Sequence, residues 1–145
     1  VACGVTNAAV LHHFGSKEQL YERAVERYNA GPGGYIGAAL VLPTARGVAE
    51  AMVHGAADIV SADPRGCLTV DHGPGLAEMR EATVHWIAER FDAAVADGEL
   101  SGVDTLVLAR WIAAMCQGIA IQARSGASRA DVDAVADRAL VGWPS

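Results

Sequence analysis

Apolar side chains recur three and four positions apart through most of this chain, which is the period of amphipathic helices, and no stretch alternates as a strand would. Leu20, Ala24, Val25 and Tyr28 share one face of a helix predicted from Ser16 to about Tyr28. Val48, Met52, Ala56 and Ile59 form the stripe of another, opened at Pro43-Thr44 and broken by Ala62-Asp63-Pro64-Arg65-Gly66. A long helix from Ala77 to Asp97 carries Val84, Ile87, Phe91 and Val95, and Gly98 closes it as a C-cap. The next, from about Asp104 to Arg124, has two stripes: Leu108, Ile112, Met115 and Ile119 on one side, Val107, Trp111, Ala114 and Gly118 on the other. A helix apolar nearly all round must be covered on both sides. In a chain of 145 residues a second subunit is the natural cover. Ser128-Arg129-Ala130-Asp131 is a capping box that opens a last helix bearing Val132, Val135, Ala139 and Leu140. The fold class is all-α.

Punctuation residues divide the chain. Gly4 can take the left-handed conformation of a tight turn, and Thr6 stands where an N-cap belongs. Gly15 breaks the helix that follows, and Ser16 opens the next with Gln19 as its capping-box partner. Asn29-Ala30-Gly31-Pro32-Gly33-Gly34 reads as a hinge or linker, which sets a partial N-terminal domain at 1–30 against a helical domain at 31–145. Cys67 to Val70 is open between a short helix and an extended run, and Asp71-His72-Gly73-Pro74-Gly75 is a loop.

Composition narrows the setting. With 52% hydrophobic residues the chain can bury a sizeable core. No window is expected to cross a bilayer, because the richest, Leu106 to Ala123, is interrupted by Arg110 and Gln117. Val1-Ala2-Cys3 has neither a basic nor an apolar leader character, so no export is expected. Cys3, Cys67 and Cys116 are odd in number and widely spaced, as reduced thiols in a cytoplasmic protein would be. Lys17, Arg23 and Arg27 cancel Glu18, Glu22 and Glu26, so the net charge of -6 lies downstream. An acidic body does not wrap nucleic acid over its surface, but it leaves room for one contact helix.

The order Gly4-Val5-Thr6-Asn7-Ala8-Ala9-Val10-Leu11-His12-His13-Phe14-Gly15-Ser16-Lys17-Glu18-Gln19-Leu20-Tyr21 is a turn, a short helix, a second turn and a capped helix. It resembles the second half of a helix-turn-helix and its supporting helix in TetR/AcrR-type transcriptional regulators. Pro64-Arg65-Gly66-Cys67-Leu68 is similar to a loop of that family's ligand domain, and Gly118 to Ser128 to the stretch joining its last two helices. The resemblance implies a recognition helix over Thr6 to Phe14 that enters the major groove. Thr6 and Asn7 would then face base edges or phosphate, while Ala8 and Ala9 would allow close approach. His12 would touch the DNA backbone, and Lys17 would hold a phosphate together with a helix N-terminus. Leu11 stands where the family usually has Tyr; Leu cannot supply that hydroxyl, so either affinity is lower or specificity moves to apolar contact. Phe14 reads as core, and His13 is open between phosphate contact and packing. Val1-Ala2-Cys3 supplies only the end of a first helix, so the N-terminal helices are expected to be missing.

The resemblance further implies a homodimer through the last two helices, a double-stranded DNA operator and a small-molecule effector. The expected function is repression, relieved by a lipophilic effector in a pocket whose candidate lining is Met52, Met79, Trp86, Phe91, Trp111 and Met115. On this reading a charge at Gly118 or Ile119 splits the dimer. No catalytic residue, metal site, cofactor or membrane partner is expected. Gly31-Pro32-Gly33-Gly34 lacks the Lys-Ser/Thr ending of a phosphate loop, and Cys67, Asp71, His72, His85 and Cys116 lack metal-site spacing. The alternatives are a helical enzyme or metal-dependent protein centred on Asp71, His72, His85 and Cys116, and a helical ligand-binding module without DNA binding.

Overall fold

A computed structural model describes residue 4 and residues 6–63 and 67–144, with only the backbone of Asn7 and Thr69. Among these residues there are seven α-helices and no strand, as the periodicity predicts. The chain divides into two compact units, one ending at Gly34 and one starting at Tyr35.

The first unit holds α1 (Asn7–Phe14), α2 (Lys17–Ala30) and a 3-10 turn, Pro32–Gly34. The Thr6 hydroxyl accepts from the Ala9 amide (3.2 Å), and the Ser16 hydroxyl accepts from the Gln19 amide (3.2 Å). Each satisfies one of the orphan donors of a helix start. Between them Gly15 takes φ 85°, ψ -60°, a conformation that a Cβ would strain. α2 runs on to Ala30, past the predicted end at Tyr28.

The second unit comprises α3 (Tyr35–Leu40), α4 (Ala45–Ala62), α5 (Leu76–Ala96), α6 (Thr105–Arg124) and α7 (Arg129–Ala139). Thr44 caps α4 through the Gly47 amide, Asp104 caps α6 through the Val107 amide, and Ser128 and Asp131 form the full capping box of α7. α3 is an addition to the sequence reading: six residues are too few to show a period. The open choice at Cys67 to Val70 resolves as a 3-10 turn, Leu68–Val70. That loop is held by cations from two helices. Arg124 pairs with Asp71 (2.8 Å) and donates to the Cys67 carbonyl (3.0 Å), and Arg80 donates to the Asp71 carbonyl (3.0 Å).

α4 and α6 pack together, with α5 against α6 and α7 against both. Val48, Val53, Val60, Ile87, Phe91, Leu100, Ile112, Ile119 and Val132 fill the space between them. Each such side chain contributes about 1.5–3 kcal/mol by leaving water. Among the described residues no charged side chain is buried, so the core holds chiefly by apolar packing. The two stripes of α6 separate only in part: Met115 of the first and Trp111 of the second are both half-buried against the core. Leu108, Ile112 and Ile119 turn inward, while Val107 stays 62% exposed.

One expectation is corrected here. α6 is 20 residues long with a mean hydropathy of 1.4 in its richest window, which is long and apolar enough to cross a membrane. Arg110 and Gln117 do not disqualify it on those measures. Its inward side is spent on the core instead, as in the central helix of a bundle.

Candidate nucleic-acid interface

α1 presents small and polar groups outward. Ala8, Ala9, Leu11 and His12 are exposed, whereas Val10 and Phe14 are half-buried. The first turn of α1 contains no acidic residue, so the partial positive charge of its free amides is uncompensated. A helix start of this kind favours an anion. The Thr6 oxygen is engaged as the cap, but its proton remains available to an acceptor. The side chain of Asn7 lies outside the described residues.

The reversal at Gly15 places Lys17, exposed, as the first residue of α2. Glu18 beside it is held below the usual carboxylate range, first by its own backbone amide and then by the Ser16 hydroxyl. The carboxylate is thus stabilised at the α2 N-terminus. His13 is exposed and meets the Phe14 ring edge-on at 4.8 Å, a packing contact. Arg23 of α2 sits 5.9 Å over the Phe14 ring, a contact the sequence reading missed. A pair nine residues apart across a turn carries no periodic signal.

The six pocket candidates fall in different surroundings. Met52 and Phe91 belong to the buried core, Met79 is half-buried, and Trp86 is 51% exposed. Trp111 and Met115 meet in an open groove of about 490 Å³, lined also by Val135, Arg138 and Val141. Gly142, at φ 84°, turns the chain back so that Trp143 stacks on Trp111 (6.5 Å) and meets Phe91 edge-on (5.7 Å).

The residues of the enzyme or metal-dependent reading are dispersed among other partners. Asp71 pairs with Arg124, and His85 approaches Glu81 (3.4 Å), onto which Arg110 also forks. His72 is exposed. Cys116 is buried and its thiol donates to the Met52 carbonyl (3.4 Å). Burial, with Cys67 nearby, pushes that thiol up to about 12, so at neutral pH it is a protonated, apolar filler. Among the described residues no three His, Cys, Asp or Glu side chains gather as metal ligands.

A capped short helix, a glycine reversal and a supporting helix precede a bundle of helices in the chain. Solved structures are similar. The chain is 29% identical to the TetR family transcriptional regulator CifR, as a cysteine variant complexed with 26-base-pair double-strand operator DNA; the match has a TM-score of 0.84 and covers 97% of this chain and 81% of that one. It is 31% identical to a putative TetR transcriptional regulator from Rhodococcus sp. RHA1, with a TM-score of 0.73 and coverage of 97% and 83%. No family model and no curated protein matches. The chain belongs to the TetR family of transcriptional regulators.

Proposed function

We propose that this protein binds an operator through α1 and represses transcription until a lipophilic effector occupies the second unit. The observation that carries this reading is the start of α1. Thr6 caps it, no acid occupies its first turn, Ala8 and Ala9 leave it bare, and Lys17 follows the Gly15 turn. A bare, positive helix end suits close approach to a base-pair edge and a phosphate. Lys17 and His12 supply the backbone contacts and Thr6 and Asn7 the groove contacts, with Leu11, 42% exposed, offering an apolar surface. Large apolar side chains such as Trp111 and Met115 suit a lipophilic effector.

The test is titration of the protein against DNA fragments flanking its own gene over a range of salt. Binding should weaken steeply with salt, and Lys17→Ala should lower the log–log slope by about 1. Salt-independent binding, or binding untouched by a His12→Ala/Lys17→Ala double variant, overturns the proposal.

The protein acts as a homodimer through α6 and α7. Supporting this, Val107, Ile121 and Val135 stand 41–62% exposed on those helices, and a Cβ at Gly118 would meet nothing within 4 Å. A mid-helix glycine with open space around it has no reason within its own subunit, and it permits close approach of another helix. Gly118→Asp should convert dimer to monomer in sedimentation while the helical signal persists, since like charges would face each other across a two-fold axis. Ile119, though adjacent, is completely buried in its own core. A charge there unfolds the subunit instead of splitting a dimer, which corrects the pairing of these two positions in the sequence reading.

A further inference from the structure

The tip of the turn between α3 and α4 has few hydrogen bonds of its own, although Ala39 and Ala45 on either side are buried and Leu42 packs against the core. Val41 is 82% exposed, and Pro43 brings no amide. It is held from a distance instead. Arg90 of α5 donates through Nη2 to the carbonyls of Leu42 (3.0 Å) and Pro43 (2.9 Å). Glu99, just past the end of α5, accepts from the Ala45 amide at the start of α4 (2.6 Å). The Leu42 amide closes back on the Ala39 carbonyl (3.0 Å), so the end of α3 and the turn form one hydrogen-bonded strip. Its anchor is α5.

Arg90 is followed in α5 by Phe91, which is completely buried and in contact with Trp143. A rotation or slide of α5 that repacks Phe91 therefore carries Arg90 with it. Hydrogen bonds weaken steeply with distance and angle, and charge-assisted ones are the stronger class, so a shift of about 1 Å is enough to release the turn. α3 begins at Tyr35, the residue after the first unit ends.

We infer that Arg90 is a coupling latch. It passes changes in the packing of α5 to the α3–α4 turn, and so to the segment that joins the second unit to the first. Its regulatory use rests on the operator-binding reading; its mechanics do not. A lipophilic effector that displaced Phe91 would loosen α3 through this one side chain.

Hydrogen exchange followed by mass spectrometry over residues 35–44 tests the latch without DNA or effector, with peptides of α6 reporting global opening. Arg90→Met should speed α3 exchange about tenfold while α6 stays protected, and Arg90→Lys should fall between the two. Phe91→Leu should speed α3 exchange in the parent chain and add less than about twofold in the Arg90→Met background. Equal effects of Phe91→Leu in both backgrounds would mean that packing alone carries the change, and the latch is overturned. Unaltered α3 exchange in Arg90→Met, or in Phe91→Leu with Arg90 present, overturns it too. Phe91→Met serves the same comparison where the Leu variant does not fold. Operator titration stands or falls separately.

Discussion

Phe91→Ala is expected to lower the stability of the second unit by about 3–5 kcal/mol, read from urea denaturation monitored by tryptophan fluorescence. Phe91 has no exposed surface, and its ring meets Trp143 edge-on at 5.7 Å. Truncation removes the buried area of a whole ring and leaves a void that an already close-packed bundle fills only in part. The aromatic pair adds about 0.5–1.5 kcal/mol beyond area. Trp143 also stacks on Trp111, so its emission should shift as the pair is lost. The result bears on function as well as stability. If Phe91 instead borders an effector space, the cavity term falls away and the loss should approach the transfer term alone, about 1.5–3 kcal/mol.

That distinction marks where sequence reading succeeds and where it stops. Helix starts were legible because caps are local: Thr6, Ser16, Thr44, Asp104 and Ser128 each bond an amide within three residues. The two stripes of α6 were legible because a helix of 20 residues gives a period room to show. Its inward stripe, with Ile112 and Ile119, and its outward stripe, with Val107 and Gly118, fall as spacing demands. By contrast, α3 is one and a half turns long and follows a glycine-rich stretch, so neither periodicity nor a cap announces it. The long-range pairs were equally hidden. Arg124–Asp71, Arg90–Leu42 and Glu99–Ala45 join positions whose separation only the packed helices determine. For the same reason a roster of large apolar residues cannot define a pocket. Met52 and Trp86 look alike as sequence, yet one is core and the other half in solvent.

The caps and the reversal of the first unit were more readable because their signals are nearly contiguous, and that makes Gly15 the most sensitive point of the proposed interface. Gly15→Ala should weaken operator binding by at least about 100-fold and destabilise the first unit by about 1–3 kcal/mol. Two independent effects act there. With φ 85° and ψ -60°, the backbone occupies a region that costs an L-residue strain whatever surrounds it. In addition, a Cβ would lie 2.1 Å from Oε1 of Gln19. That oxygen belongs to a flexible side chain and can swing away, so the clash alone is cheap. The backbone strain cannot be relieved in that way. The chain must open the reversal, which sacrifices the hydrogen bond from the Gly15 amide to the Leu11 carbonyl (2.8 Å). Opening it displaces Lys17 from α1, so the two proposed DNA contacts can no longer be made in one pose. Gln19→Ala separates the causes: combined with Gly15→Ala it removes the clash and leaves the strain, so binding should remain lost. Restored binding in the double variant would show that the clash, and not the left-handed turn, had set the geometry of the contact helix.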